Sequence, residues 1–126
     1  MVVGFNDEMD ELQAGALRAL ASPHRVRVVH LLAQGPLEVR EISASLDLGQ
    51  AATSQHLAAL RAVGLVEASR DGRSVAYRLA DPDIGEACDL MRSALVRRLT
   101  RLGNVAAAAS IEAGAHASAP MEVPVR

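Results

Sequence analysis

Side chains that could act as nucleophiles, general bases or metal ligands are few in this chain and lie far apart in the sequence. The histidines are His24, His30, His56 and His116, and Cys88 is the single cysteine. No Ser-His-Asp or Cys-His arrangement, Gly-rich phosphate loop or pair of buried carboxylates can be recognised. The sequence therefore disfavours an enzyme and indicates a binding protein.

Three acidic residues, Asp83, Glu86 and Asp89, cluster near the start of a predicted helix. Carboxylates alone suit hard cations and hold Zn²⁺ or Ni²⁺ poorly, and residues 81–113 contain no histidine. We interpret the cluster as a solvated helix start and predict no cofactor. The alternative, a metal ion held by ligands from two subunits or by His116, stays open.

A short polar segment could instead contact the edges of DNA bases. In a predicted helix at residues 50–63, Thr53, Leu57 and Leu60 recur at i, i+4 and i+7 and are expected to face the core. The opposite side presents Gln50, Ala51, Ser54 and Gln55. Glutamine can pair with adenine through two hydrogen bonds, serine can contact a base or a phosphate, and alanine can meet a thymine methyl group. We call these four residues the reading face.

Basic charge is concentrated in the middle of the chain. The formal net charge is −2, but residues 18–80 carry eight arginines against five acidic residues, a net charge of +3. Arg61, Arg70 and Arg73 are predicted phosphate contacts, which add affinity and salt dependence rather than sequence discrimination. His56 is a further candidate DNA contact, although its place beside the core side of the helix favours packing or a hydrogen bond within the protein.

Helices and one hairpin must position these residues. Asn6, Ser22-Pro23 and Asp81-Pro82 are helix start signals, and Gly35-Pro36 is a stop signal. Helices are predicted at residues 6–20, 23–33, 40–46 and 50–63, with a short extended piece at 37–39 and strands at 65–69 and 74–79. The third and fourth helices, joined by a short turn with glycine, form a helix-turn-helix signature. The strands flank a predicted turn at residues 70–73, centred on Asp-Gly, and a basic hairpin in this place is typical of a wing.

A last predicted helix carries an apolar stripe at spacings of three and four residues, namely Ile84, Cys88, Met91, Leu95, Leu99 and Leu102. The helix extends beyond the compact core, so the stripe implies a partner helix. We interpret it as a dimer seam that also includes Leu12 of the first helix. An Ala-rich stretch is expected to prolong the helix to about residue 113, and residues 114–126 are expected to form a flexible tail.

The length and composition of the chain are consistent with one small domain, which we place at residues 1–113. The chain has 126 residues, of which 50% are hydrophobic and 2% aromatic, so an aliphatic core of packed helices is expected. No apolar run approaches the roughly 20 residues of a membrane helix, no secretory signal is recognised, and one cysteine excludes an intramolecular disulfide framework. We expect a mainly α-helical protein with a small β-hairpin, located in the cytoplasm.

Three segments resemble the ArsR/SmtB family of bacterial repressors. They are residues 17–25 (LRALASPHR), residues 53–66 with TSQHL and LRAVGLV, and the hairpin with RDGR and YRL; the resemblance spans roughly residues 8–102. It implies a winged helix-turn-helix of order α1-α2-α3-α4-hairpin-α5, a homodimer through the first and last helices, and an inverted-repeat DNA operator released on a signal. It also implies groove contacts from Gln50, Ala51, Ser54 and Gln55.

The best-known members of this family bind metal ions, through a cysteine pair in the third helix or through Asp and His residues on the last. Residues 37–42 contain no cysteine and the last helix no histidine, so no metal ligand is assigned. Cys88 is interpreted as a small buried hydrophobe, with redox switching as the alternative. A metal-responsive (Ni/Zn-type) regulator with an atypical site and a protein-interaction module without DNA binding are the alternative functions.

Overall fold

The computed structural model describes residues 4–104 and 106–113. Within them the chain forms, in order, α1 (Asp7–Leu20), α2 (Pro23–Leu32), β1 (Leu37–Glu38), α3 (Val39–Leu46), α4 (Gln50–Ala62), β2 (Val66–Asp71), β3 (Ser74–Leu79) and α5 (Pro82–Arg101). Outside the hairpin and the end of α5, these bounds lie within one residue of the sequence prediction. The predicted tail at residues 114–126 lies outside the described residues.

Side-chain caps start three of the helices where the sequence predicts them. The Asn6 side chain accepts a hydrogen bond from the Met9 backbone N–H at 2.9 Å, and Asp81 accepts one from the Asp83 N–H at 2.8 Å. Ser22 caps α2 in the same way, and a proline follows it at the first helical position. Such caps satisfy backbone donors that have no partner inside the helix.

The turn of the helix-turn-helix depends on one left-handed residue. Asp47 ends α3 with a φ of 54°, and the Leu48 N–H donates back to the Ser43 carbonyl at 3.1 Å. The buried Ser43 hydroxyl donates to the Leu48 carbonyl in turn. These bonds reverse the chain within three residues, so that α4 starts directly after Gly49.

The three strands form one antiparallel sheet in the order β1-β3-β2. Asp71 pairs with Ser74, so only Gly72 and Arg73 lie between the strands. The predicted four-residue turn at 70–73 is wrong, because Arg70 and Asp71 belong to β2. Gly72 has a φ of 63° while Arg73 keeps a negative φ, as in a two-residue type II′ hairpin turn. The Asp-Gly pair predicts a turn centred on Asp71 and Gly72, but cross-strand pairing continues through Asp71.

The core is aliphatic and lies between the helices and the inner side of the sheet. Its fully buried large side chains are Val28, Val29, Ile42, Leu57, Leu60 and Val66. Helix α5 starts in close contact with this core, because a Cβ atom at Gly85 would lie 3.1 Å from the Ala33 Cβ and 3.2 Å from Leu79 Cδ1. The small residue therefore lets α5 approach α2 and β3.

The end of α5 differs from the sequence prediction. Asn104 N–H donates to the Leu99 carbonyl at 2.9 Å, and Gly103 N–H, at a φ of 79°, donates to the Thr100 carbonyl at 3.0 Å. This paired capping ends the helix at Arg101. The Ala-rich residues 106–113 are helical, but they follow this turn and do not prolong α5. None of the helices in the described part of the chain is long and apolar enough to span a membrane.

Candidate nucleic-acid interface

Helix α4 separates a buried side from an exposed polar side, as its sequence predicts. Thr53, Leu57 and Leu60 are fully buried. Every residue of the reading face is exposed, namely Gln50, Ala51, Ser54 and Gln55. The helix thus presents its hydrogen-bonding side chains to the surface from the first turn onward.

A groove between α4 and the wing connects the reading face with two of the predicted arginines. One depression of about 520 Å³ is lined by Gln50 and Ser54 from α4 and by Arg73 from the hairpin turn. A second, of about 400 Å³, is lined by Ser54, Ala58 and Arg61. Ser54 and Tyr77 line both, so the two depressions share one surface.

Tyr77 and Arg40 line this groove but were missed by the sequence analysis. Tyr77 reaches it from β3, and Arg40 from the first turn of α3, where its Nε lies 3.1 Å from Glu38 Oε1. The alternation of the return strand could have indicated Tyr77, since it shares a side of the strand with Val75. For Arg40 no local signal exists, because only the packing of α3 against the hairpin brings it here.

The two faces of the hairpin carry different arginines. Arg70 pairs with Val75 across the strands, so it shares the inner face with Val75 and Tyr77 near the wing tip. Arg78 lies on the outer face, where it pairs with Glu67 at 3.2 Å. Within the described residues, Arg70 and Arg73 form no ion pair, whereas Arg78 on the outer face does. Unpaired positive charge therefore lies on the groove side of the wing.

His56 lies away from this groove. Its Nδ1 accepts a hydrogen bond from Arg25 Nε of α2 at 3.1 Å, and its ring centroid lies 5.4 Å from that of His24. Burial, followed by Arg25 and His24, lowers the pKa of His56. The ring thus makes the contact within the protein that the sequence analysis favoured, and we no longer include His56 among the candidate DNA contacts.

Exposed apolar side chains also lie along α1 and α5. Of the predicted seam residues, Leu12, Met91, Leu95 and Leu102 are exposed, whereas Cys88 and Leu99 are half-buried. Ile84 is half-buried and packs against the protomer's own core, so its place in an intersubunit seam stays a prediction. The exposed surface also includes residues that the stripe omitted, namely Phe5, Met9, Leu17 and Leu90.

Comparison with known proteins identifies this arrangement. Residues 22–68 match the profile of the bacterial regulatory proteins of the arsR family. The HTH-type transcriptional regulator Rv0081 of Mycobacterium tuberculosis H37Rv is 34% identical over 114 residues, which cover 90% of this chain and 98% of that protein. The chain belongs to the ArsR family.

Solved structures share the fold of this ArsR-family protein. The homodimeric winged helix-turn-helix DNA-binding domain of Mb0332 from Mycobacterium bovis superposes with a TM-score of 0.71 at 30% identity, covering 79% of this chain and 95% of that one. The crystal structure of M. tuberculosis Rv0081 gives 0.68 at 35% identity, with 74% and 94% covered. The chain is a winged helix-turn-helix transcriptional regulator.

A polar cluster joins α5 of this ArsR-family regulator to α2. Arg92 contacts His30 Nε2, and Asp89 Oδ1 lies 3.6 Å from His30 Nδ1. Burial and Arg92 lower the pKa of His30, and Asp89 opposes them. Burial, with help from Asp89, raises the pKa of the Cys88 thiol, which disfavours the reactive thiolate. No group of three or more potential metal ligands occurs among the described residues.

Arg73→Ala is expected to weaken binding to specific and random DNA by similar factors, because a phosphate contact carries no sequence information. The slope of log K against log salt should become shallower by about 0.9 for each lost phosphate contact, and by about twice that in a dimer. Fluorescence anisotropy over a salt series measures this slope. Arg78→Ala, which removes the same charge from the outer face, is the control, and an equal change in both variants would contradict the assignment.

Proposed function

We propose that this ArsR-family regulator represses transcription as a homodimer bound to an inverted-repeat operator. The observation that carries the proposal is the shared groove, where exposed polar residues of α4 and the wing residue Arg73 meet. A DNA major groove about 12 Å wide admits one α-helix. With α4 in the major groove, the hairpin would lie along the sugar-phosphate backbone beside that groove.

The proposed DNA contacts are of two kinds. Gln50 and Gln55 would form hydrogen bonds with base edges, and Ser54 and Ala51 would contribute a hydroxyl and a methyl group. The phosphate contacts would come from Arg61, Arg70 and Arg73. The first kind gives specificity, and the second gives affinity that falls with salt.

A second copy of the chain would complete the operator-binding unit. The exposed apolar surface of α1 and α5 supports this, because isolated chains rarely leave so many large apolar side chains in water. The similar Mb0332 domain is homodimeric, and the HTH-type transcriptional repressor SmtB of M. tuberculosis H37Rv is 46% identical over 65 residues, 52% of this chain and 48% of that protein. A two-fold dimer would contact half-sites about one helical turn apart. Cytoplasmic location follows from this role.

The direct test is binding to DNA from upstream of the protein's own gene, compared with a scrambled duplex at moderate salt. The proposal expects the upstream DNA to bind at least a thousandfold more tightly, in the lower range known for specific regulators, about 10³–10⁷. Equal affinity for both duplexes over a complete set of upstream fragments would refute sequence-specific binding.

Gln55→Ala is expected to weaken operator binding by about tenfold or more, since a bidentate base contact discriminates by about 1–3 kcal/mol. Affinity for scrambled DNA should stay unchanged, because the exposed Gln55 is assigned no phosphate contact. Anisotropy titrations measure both affinities, and sedimentation velocity should show an unchanged dimer. Dissociation of the dimer by this substitution would mean that α4 is wrongly oriented in the proposal.

A further inference from the structure

One arginine side chain connects three helices behind the reading face. Arg25 belongs to α2, and its Nε donates to Nδ1 of His56 on α4 at 3.1 Å. Its Nη1 donates to the carbonyl of Ala19 near the end of α1, at 3.2 Å. Helix α1 carries part of the exposed apolar surface, and α4 carries the reading face. A single guanidinium therefore links the surface assigned to the dimer with the surface assigned to DNA.

The Arg25–His56 hydrogen bond requires one protonation state of His56. An imidazole nitrogen accepts a hydrogen bond only when it carries no proton, so the ring is neutral with its proton on Nε2. The ionisable groups that face His56 are Arg25 and His24, both from α2, and both oppose a positive charge on the ring. Protonation would remove the acceptor and place two cations side by side.

Because of the position of His56 on α4, this bond can constrain the rotation of the helix about its axis. His56 follows the buried Thr53 by three residues, and with about 100° per residue it lies on the flank away from Ser54 and the wing groove. The buried Leu57 and Leu60 seat α4 on the core. The directional hydrogen bond on the His56 flank adds a further constraint on the rotation of the helix about its axis.

We propose that Arg25 is a positioning residue for DNA recognition: by holding His56, it fixes the rotation of α4 relative to α1, and hence the placement of the two reading faces in the dimer. The inference rests on the proposed function. It predicts that breaking the bond weakens operator recognition, while random-DNA binding and dimerisation persist.

The first experiment compares Arg25→Met with Arg27→Met in the full chain. Arg27 is exposed on the same helix, so both variants lose one positive charge and keep a similar apolar stem. Arg25→Met should bind the operator about tenfold more weakly than Arg27→Met, as for one lost hydrogen bond to a charged group. Both variants should bind scrambled DNA equally and sediment as dimers. Equal operator affinity of the two variants would overturn the inference.

The second experiment replaces the acceptor. In His56→Asn the amide oxygen can take the place of Nδ1 without titrating, whereas His56→Leu removes the acceptor. His56→Asn should retain operator affinity within about threefold at pH 7.5, and His56→Leu should resemble Arg25→Met. The double variant Arg25→Met/His56→Leu should be no weaker than either single variant, since both remove the same bond. Additive losses would show that the two residues act separately.

The pH profile distinguishes this role from general support of the fold. Because the pKa of His56 is lowered, the folded protein keeps the ring neutral above about pH 6.5, the ordinary histidine value, and loses the bond as the pH falls further. Wild-type affinity for the operator should therefore fall several-fold more than that of His56→Asn between pH 7.5 and 5.5. Identical profiles of the two proteins would contradict the proposal.

These experiments test the proposed function and the positioning role of Arg25 separately. If the wild type does not distinguish operator from scrambled DNA, the proposed function fails. If it does distinguish them and Arg25→Met matches Arg27→Met, only the positioning role fails. Should Arg25→Met unfold, as judged by thermal melting, His56→Leu and the pH profile test the same bond.

Discussion

Leu95→Glu should separate the homodimer and weaken operator binding by about a thousandfold or more. A single subunit contacts only one half-site, so it loses much of the margin by which specific affinity exceeds non-specific affinity, about 10³–10⁷. Leu95 is 54% exposed in the single chain, with Met91 at 58% and Leu102 at 66% on the same side of α5. A second copy would cover these side chains. A glutamate in that contact would bury a carboxylate without a partner.

The matched control for Leu95→Glu is Ser93→Glu. Ser93 is exposed on α5, and two residues along a helix turn the side chain by about 200°, away from Met91 and Leu95. Both variants add the same charge to the same helix. Sedimentation velocity should give a monomer for Leu95→Glu and a dimer for Ser93→Glu. In operator titrations, Leu95→Glu should bind more weakly than Ser93→Glu. A dimeric Leu95→Glu protein would place the subunit contact elsewhere.

Leu57→Ala is expected to lower the free energy of unfolding by about 2–5 kcal/mol, the usual cost of a cavity left by a buried leucine. Leu57 is fully buried between α4 and the core. Because α4 would lose part of the packing that seats it, operator binding should fall together with stability. Urea denaturation at a fixed protein concentration measures the change, since dimerisation makes stability depend on concentration.

Thr53→Val provides the comparison on the same buried side of α4. The Thr53 hydroxyl donates to the Gly49 carbonyl at 3.0 Å, but that carbonyl also accepts the Thr53 backbone N–H at 3.0 Å. Valine of similar shape therefore leaves no polar group unsatisfied, and the change in unfolding free energy should stay below about 1 kcal/mol. A loss as large as that of Leu57→Ala would show that the hydroxyl matters more than the cavity.

The sequence by itself determined the features that depend on neighbours along the chain. Caps such as Asn6 and Asp81 act over two or three residues, so their helices start where predicted. The spacing of Thr53, Leu57 and Leu60 made one side of α4 apolar, and the exposed Gln50 and Ser54 followed from helical geometry. The family resemblance rests on these same local segments.

Only the tertiary structure decided which residues meet across elements. Arg25 and His56 are 31 residues apart, and neither carries a local sign of the other. The same holds for His30 on α2, which contacts α5. Ile84 packs against the protomer's own core whereas Met91 and Leu102, on the same face of the helix, are exposed. The helical spacing predicts the stripe but does not determine how far along it the protomer covers. That extent depends on where α5 approaches α2 at Gly85, which is a matter of packing between residues distant in the sequence.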